Sequence, residues 1–395
     1  MKWASSISTS ANLSEAVLQA TADVRTQLEG RQPDLVLVFA SPHFSGTYSD
    51  IPALMQEHLP SRHLIGCSGG GVIGGGSEVE DKPALSITAA LLPDVRLKTI
   101  HTDTQDLPDQ DSPQGEWKEW LGMSDWEQAH FIVLADPYTT SIEPFLGGLD
   151  FAFPSGAKIG GLASGAKDVG ENALFLDGDC HRRGLVAIAL SGNLILDTIV
   201  AQGCRPIGSP LTITSCKENV LIEVNHRPPL QYLGELIESL DEYDRNLMRT
   251  SLFLGIQMDP FLTDPRRGDF LIRNLVGIDY AKGVLAIGSV LQEGSVVQFH
   301  LRDKITSTED LDAMLIRYSD TQRSTPVSGA LLFSCLGRGQ VLYGQPNHDT
   351  HAFLNKVRAV PIGGFFCNGE IGPIGPSTYV HGYTSSFGVF RTVER

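Results

Sequence analysis

Basic runs are missing from this sequence, and so is any stretch of the roughly 18 apolar residues needed to span a bilayer. Acids outnumber bases by 46 to 30, a formal charge of −16. Nucleic-acid phosphates and anionic lipid both demand a local excess of Lys and Arg, so neither a nucleic acid nor a membrane is expected as a partner. Six cysteines (Cys67, Cys180, Cys204, Cys216, Cys335 and Cys367) stand far apart with no C-x-x-C pair. A disulfide framework is therefore not expected, and the cysteines read as free thiols of a reducing compartment. Met1 to Ser6 are not followed by an apolar h-region, so no secretory signal is read and a cytoplasmic location is expected. Charged residues reach only 19% against 42% hydrophobic, which excludes wholesale disorder and fits a soluble globular protein.

Glycine is abundant, with 41 residues, and it clusters at 66–76, 160–165 and 363–375. A chain of 395 residues is too long for one ordinary core. The best cut lies at 225–229, giving domains of 1–225 and 226–395. The first 30 residues read as one amphipathic helix, because Leu13, Val17, Ala20, Val24 and Leu28 recur at helical spacing before a stop at Gly30. A buried-type strand at 34–40, a short helix at 50–58 and a strand at 63–66 then run into the first glycine cluster. The same order returns twice: strand 131–135, helix 141–153, strand 158–161; and strand 329–334, helix 349–357, strand 361–364. The expected fold is α/β in a mixed α+β sense, with layered sheets built from strand–helix–strand–Gly-turn repeats. Short antiparallel strands are predicted at 184–190, 194–201, 211–215, 220–224, 270–276, 284–289 and 296–301. Helices are predicted at 229–240 and at 308–319, the latter opened by Ser307 or Thr308. The acidic, apolar-poor segment 102–116 reads as a surface loop.

The first cluster matches G-x-S-x-G at 66–70 and G-x-G-x-x-G at 69–74, yet both motifs require a helix directly after the loop. Here a strand at 84–92 follows, so nucleophile-elbow and dinucleotide readings fall away. What survives is a set of amides unobstructed by Cβ atoms, able to approach a small polar ligand, or else a plain glycine-rich hairpin. In the third cluster Asn368-Gly369 signals a tight turn, flanked by Phe365, Phe366, Cys367 and Glu370. Glu370 could fix an amine by charge-assisted hydrogen bonding, or be a solvated turn carboxylate. His348 and His351 match no zinc spacing, and capping of the next helix by Asn347 or Asp349 explains the local polarity; no metal and no cofactor are expected.

The third cluster, with GALLFSCLGRG at 329–339 and HGYTSS at 381–386, closely resembles the C-terminal domain of the FIST family. Gly66-Cys67-Ser68 and Gly160 to Ser164 resemble the glycine turns of its N-terminal domain, and FLIRNL at 270–275 with VLQEGSVVQF at 290–299 resembles strands that open the C-terminal part. The resemblance spans about residues 30 to 390 and implies two FIST-type domains forming a sensory module for small ligands, amino acids being the suggested ones, that signals through a protein partner. Many relatives carry an attached signalling output or an F-box; neither is read in this sequence. The family supplies no secure catalytic residues. The candidate ligand-binding residues are Gly66, Cys67, Ser68, Gly69, Gly161, Ser164, Arg338, Gly364, Phe366, Cys367, Asn368 and Glu370, with amides and Ser68 for a carboxylate and Glu370 for an amine. Two other readings stay open: a thiol-dependent enzyme pairing Cys67 or Cys367 with a histidine such as His381, and a scaffold whose glycine turns dock a protein.

Overall fold

The chain begins with a strand where the sequence predicts helix. In the computed structural model, which describes residues 1–105, 107–109, 111–321 and 325–393, β1 (Lys2–Ser8) buries Trp3 and Ala4. Its serines hide the alternation. The hydroxyls of Ser5, Ser6 and Ser8 are buried on Ile362 O at 2.8 Å, Asp23 Oδ2 at 3.0 Å and Gln19 Oε1 at 2.6 Å, so a polar sequence packs like an apolar one. The expected helix then follows as α1 (Leu13–Gln27). Asn12 Oδ1 accepts the Glu15 N–H at 3.0 Å, and Gly30 takes the positive φ beyond the last turn.

Three repeats follow one another. The first holds β1, α1, β2 (Leu35–Ala40), α2 (Ile51–His58), β3 (His63–Ser68), β4 (Gly71–Gly74), β5 (Ser77–Glu80) and β6 (Leu85–Leu91). The second holds β7 (Val95–Thr102), α3 (Gln114–Trp120), β8 (His130–Ala135), α4 (Glu143–Ala152), β9 (Lys158–Leu162), β10 (Leu174–Leu176), β11 (Asp179–His181) and β12 (Leu185–Gly192). The loop predicted at 102–116 spans the end of β7 and the start of α3; Asp106 and Gln110 within it lie outside the described residues. The third repeat opens with β13 (Ile195–Ala201) and is interrupted by β14 (Arg205–Lys217), β15 (Val220–Val224), α5 (Pro229–Ser239), α6 (Glu242–Ser251), β16 (Leu252–Gln257), β17 (Phe270–Asp279), β18 (Val284–Ile287) and β19 (Val296–Leu301). After α7 (Lys304–Asp320) it resumes with β20 (Gly329–Cys335), α8 (Gly339–Tyr343), α9 (His348–Lys356), β21 (Ile362–Cys367), β22 (Glu370–Ile374), β23 (Ser377–His381) and β24 (Ser385–Arg391).

Two compact units result. One comprises Met1–Val200, Asp312–Val380 and Thr384–Arg395, the other Ala201–Leu311 and His381–Tyr383. In the smaller unit the strands close a barrel, β14-β15-β18-β17-β16-β19, around Ile213, Leu254, Leu285, Val297 and Phe299. Residues 290–295 form a turn entering β19 rather than a strand. The helix expected to start at Ser307 or Thr308 starts earlier, at Lys304, because Asp303 Oδ1 accepts the Thr306 N–H at 2.7 Å; the Ser307 hydroxyl instead donates to Gly203 O.

The larger unit contains three six-stranded sheets: β1-β6-β2-β3-β10-β11, β7-β12-β8-β9-β22-β23 and β13-β24-β20-β21-β4-β5. Each is centred on one parallel pair, β2/β3, β8/β9 or β20/β21. The continuous apolar runs are explained by two-sided burial. Leu35, Leu37 and Phe39, Ile132 and Leu134, and Leu331 and Phe333 all meet in one central core. Their alternates point outward under helices: Val36 and Val38 against Val17, Ala20 and Val24 of α1, and Phe131 and Val133 against Phe145 and Leu149 of α4. Among the described residues, no helix is long and apolar enough to cross a membrane.

Gly66, Gly160 and Gly364 occupy the same place in the three parallel pairs, opposite Val38, Val133 and Leu332. A Cβ there would stand 1.9 Å, 1.8 Å and 1.8 Å from the facing carbonyl oxygen. Gly160 and Gly364 also sit at φ 148°, where side chains are strained. Gly364→Ala is therefore expected to cost on the order of 3 kcal/mol, read from a urea or thermal melt. Gly147→Ala, on an exposed helical position with nothing within 4 Å, is expected to gain about 0.5–1 kcal/mol.

Candidate functional site

The three glycine turns converge. Each follows the second strand of a parallel pair, and ligands of α/β sheets gather beyond such carboxyl ends. The hairpin β4–β5 leaves its own repeat to pair β4 with β21, through Ile73 opposite Gly364 and Val72 opposite Phe365. β10–β11 leaves the second repeat and pairs with β3, and β22 leaves the third and pairs with β9. The hairpins thus exchange in a closed cycle. Asn368-Gly369 is accordingly a corner between two sheets rather than the tip of a hairpin, and Leu162 binds both of its residues, accepting Asn368 N–H at 3.0 Å and donating to Gly369 O at 2.8 Å.

Ser164 ties the turns together. Its Oγ accepts the Gly70 N–H at 2.8 Å and donates to Phe366 O, while its N–H reaches Ser68 O at 3.2 Å. Gly165 (φ 89°) packs against Pro42 and the Gly70 backbone, where a Cβ would meet Pro42 Cγ at 2.5 Å. Ser68 is fully engaged: its Oγ donates to Asn172 Oδ1 and accepts the Ala173 N–H, both at 3.1 Å, and Asn172 Nδ2 donates to buried Asp136 at 2.9 Å. Sequence reasoning missed Asp136 and Asn172. The one available signal was Asp136-Pro137 directly after a strand, the counterpart of Ser41-Pro42 after β2.

Comparison of the three exchanged hairpins isolates one residue. Register places Leu174 opposite Cys67, Val72 opposite Phe365 and Glu370 opposite Gly161. These are equivalent positions, each beside the residue after Gly66, Gly364 or Gly160. Leu174 and Val72 belong to the central core; Glu370 is a carboxylate that is 0% exposed. Its Oε2 accepts the Thr384 N–H at 3.0 Å. The space left by the missing Gly161 side chain is taken by Cys367, whose Sγ lies 2.4 Å from where a Cβ would stand. Of the two readings of Glu370, the solvated turn carboxylate is excluded, because the group is buried.

Of the other sequence-derived candidates, Gly66, Cys67, Gly69, Gly364, Phe366 and Cys367 lie in or beside these strand ends, all but Gly69 on the strands themselves. Asn368 is exposed, Phe366 is buried. Gly69 lends its N–H to Ala40 O at 3.0 Å. Burial pushes the Cys67 thiol well above its ordinary range, and burial followed by the charge of Glu370 does the same to Cys367. Neither thiol is held as a thiolate, the form nucleophilic chemistry requires.

Arg338 sits apart, wholly buried after β20. Its Nε meets Asp349 Oδ2 at 2.8 Å and its Nη2 meets Tyr343 Oη at 2.5 Å. Asp349 also takes Ser385 Oγ at 2.5 Å and His348 Nδ1 at 2.9 Å. Burial raises the Asp349 carboxyl, but Arg338 and these hydrogen bonds outweigh it and hold the group well below the carboxylate range. The capping expected of Asn347 or Asp349 does not occur: Asn347 Oδ1 accepts the Glu78 N–H at 2.7 Å instead. Among the described residues, no three His, Cys, Asp or Glu side chains gather to hold a metal.

A FIST N domain model matches residues 34–227 and a FIST C domain model matches residues 229–373. The chain belongs to the FIST family. Uncharacterized protein Rv0628c of Mycobacterium tuberculosis (strain ATCC 25618 / H37Rv) is 33% identical over 386 residues, covering 97% of this chain and 98% of the relative. Uncharacterized protein Mb0898c of Mycobacterium bovis is 30% identical over 384 residues, covering 97% of each. F-box/LRR-repeat protein At5g63520 of Arabidopsis thaliana is 23% identical over 276 residues, 61% of this chain and 51% of the plant protein. FIST domains are associated with small-ligand sensing in signalling proteins. The FIST N match ends and the FIST C match begins within the part of the chain that forms the smaller unit.

Two outcomes are expected of this site. Arg338→Met leaves Asp349 buried without its guanidinium and should cost about 3–5 kcal/mol in denaturant melts. A water-soluble thiol reagent at pH 8, read by peptide mass spectrometry, should leave Cys67, Cys204 and Cys367 of the native chain unmodified, because each is at most 2% exposed.

Proposed function

We propose that this FIST protein is a small-ligand sensor that recognises an amine-bearing polar metabolite, an amino acid or a compound of that class, at the meeting of its glycine turns, and passes its occupancy to a protein partner. The observation that carries this reading is Glu370, a buried carboxylate at a position where the two equivalent hairpins hold Leu174 and Val72. A charge buried among apolar equivalents costs stability, and such departures from local consistency mark functional sites. In this reading Glu370 receives the amine by a charge-assisted hydrogen bond, and Asn368, exposed on the adjoining corner, meets the polar remainder. Ser68 and Gly70 act through the frame they hold, since their donors are already engaged. The family's association with small-ligand sensing supports the same class of function. The high-lying thiols of Cys67 and Cys367 weigh against thiol catalysis.

A thermal-shift screen of the full chain against amino acids and small amines tests this. Binding to the native state alone should stabilise it by about 2.7 kcal/mol at a hundredfold excess over Kd. Glu370→Gln keeps an acceptor for the Thr384 N–H and removes the charge. It is expected to fold with stability within about 1 kcal/mol of wild type, as a surviving neutral hydrogen bond allows, and to lose the ligand-induced shift; Asn368→Ala should diminish that shift without lowering the unliganded Tm. No stabilisation at millimolar concentration, or a shift unchanged in Glu370→Gln, would overturn the reading.

A further inference from the structure

The exchanged hairpin β4–β5 carries two carboxylates on one face of β5. Glu80 Oε1 accepts the Gln340 N–H at 2.9 Å at the start of α8. Glu78 is only 6% exposed, and its Oε1 accepts the Thr350 N–H at 2.7 Å in the first turn of α9. The Glu78 backbone N–H is in turn held by Asn347 Oδ1 at 2.7 Å. One segment of the third repeat, residues 347–350, therefore grips both the main chain and the side chain of Glu78. Its other oxygen, Oε2, is buried with no hydrogen-bond partner among the described residues. In the equivalent hairpin β10–β11 the matching position is the thiol-bearing Cys180, opposite Phe175 as Glu78 is opposite Ile73. The β10–β11 hairpin thus carries no acid at this position.

Two charged groups act on Glu78 directly, Asp349 from α9 and Glu80 from β5 itself; His348 of α9 and Arg338 before α8 bind Asp349, Tyr343 of α8 binds Arg338, and β4 carries no titratable group. Arg338 gives two of its nitrogens to Asp349. A second full negative charge beside Asp349, in a buried site, is strongly disfavoured. Burial and then the Asp349 charge push the Glu78 carboxyl up to about 8, against the Thr350 hydrogen bond that favours ionisation.

We propose that Glu78 is a proton-operated latch: its neutral carboxyl holds the exchanged hairpin β4–β5 on α9, and loss of the proton frees the hairpin and uncovers the edge of β21. The sign follows from linkage. The unfolded carboxyl ionises near 4.5, so the folded chain keeps a proton that the unfolded chain releases. The contribution of Glu78 is complete at acid pH, declines from about pH 4.5 to about pH 8, and is constant above that. Opening of the hairpin releases the same proton, so the open fraction grows by up to about tenfold for each pH unit between about pH 4.5 and about pH 8 and levels off above that.

Hydrogen exchange on the full chain tests the latch, comparing wild type with Glu78→Gln between pH 6.5 and 9.5 after correction for intrinsic rates. The glutamine keeps an acceptor for Thr350 and does not titrate. Protection of residues 71–80 should fall at least tenfold in wild type across this range, with no such fall in Glu78→Gln and none in residues 131–135 of β8. Constant protection in wild type, an equal fall in the glutamine variant, or a fall shared by β8 would each overturn the proposal. Should Glu78→Gln fail to fold, wild type decides alone: a loss confined to 71–80 that levels off near pH 8 supports the latch, and a loss that spreads beyond 71–80 or continues to grow above pH 8 overturns it.

Discussion

Pairing of β4 with β21, of β10 with β3 and of β22 with β9 is the constraint on which the larger unit rests. A sheet that must accept a hairpin from another repeat needs its edge clear and the arriving strand close. The glycines let the parallel pairs that receive the hairpins close up, since each faces a carbonyl of its own pair. With Cβ atoms at Gly66, Gly160 and Gly364, the parallel pairs would be forced apart at the facing carbonyls, and the strands that end there could not turn across to the neighbouring sheet. Each exchanged hairpin is then pinned by a carboxylate: Glu78 on Thr350, Asp177 on the Leu64 N–H at 3.1 Å, and Asp150 on the Thr378 N–H at 2.6 Å. The chemistry at the three junctions differs even though the geometry repeats. Asp150 is paired with buried Lys158 at 3.0 Å, and Asp177 with His63 at 3.3 Å, whereas Glu78 adjoins another acid.

Much of this architecture was legible, because burial on both faces writes long apolar runs. Residues 34–40, 131–135 and 329–334 gave their strands to within one residue, and the repeated order of strand, helix, strand and glycine turn matches the three parallel pairs. β1 was not legible. Its pattern of serines carries no period, and only partners distant in sequence, Thr88, Ile362, Asp23 and Gln19, make their burial tolerable. The short β16 and helix α6 were missed beside it, as α6 buries little beyond Met248 and so lacks a broad apolar stripe. The N-terminus of α7 was misplaced because Asp303, not a hydroxyl, supplies its first acceptor.

The site was legible in composition and not in arrangement. Reading exposed amides into the glycine clusters placed the right residues in one neighbourhood, but most of those glycines face a carbonyl or side chain of another strand rather than open space. Arg338 shows the opposite error of intuition. A lone arginine in a glycine-rich loop looks like an anion receptor, yet this one is enclosed with Asp349, Tyr343 and the hydroxyl of Ser385 around its partner. No local pattern reveals that, since Asp349 is eleven residues away and Ser385 thirty-six residues beyond it.

Glu370 gains its meaning only by comparison within the chain. Taken singly, a buried glutamate whose Oε2 accepts the Thr384 N–H could be a structural device, and burying it could even be a burden that an apolar residue would relieve. The two equivalent hairpins show that the fold itself does not require an acid there, because Val72 and Leu174 complete the same contact with the core. The Thr384 N–H is a demand that a neutral amide could satisfy equally. What an amide cannot supply is an ionisable group, and a carboxylate out of water attracts an incoming cation far more strongly than one in solvent. The internal repeat thus acts as its own control, separating what the exchanged strands need from what one of them has added.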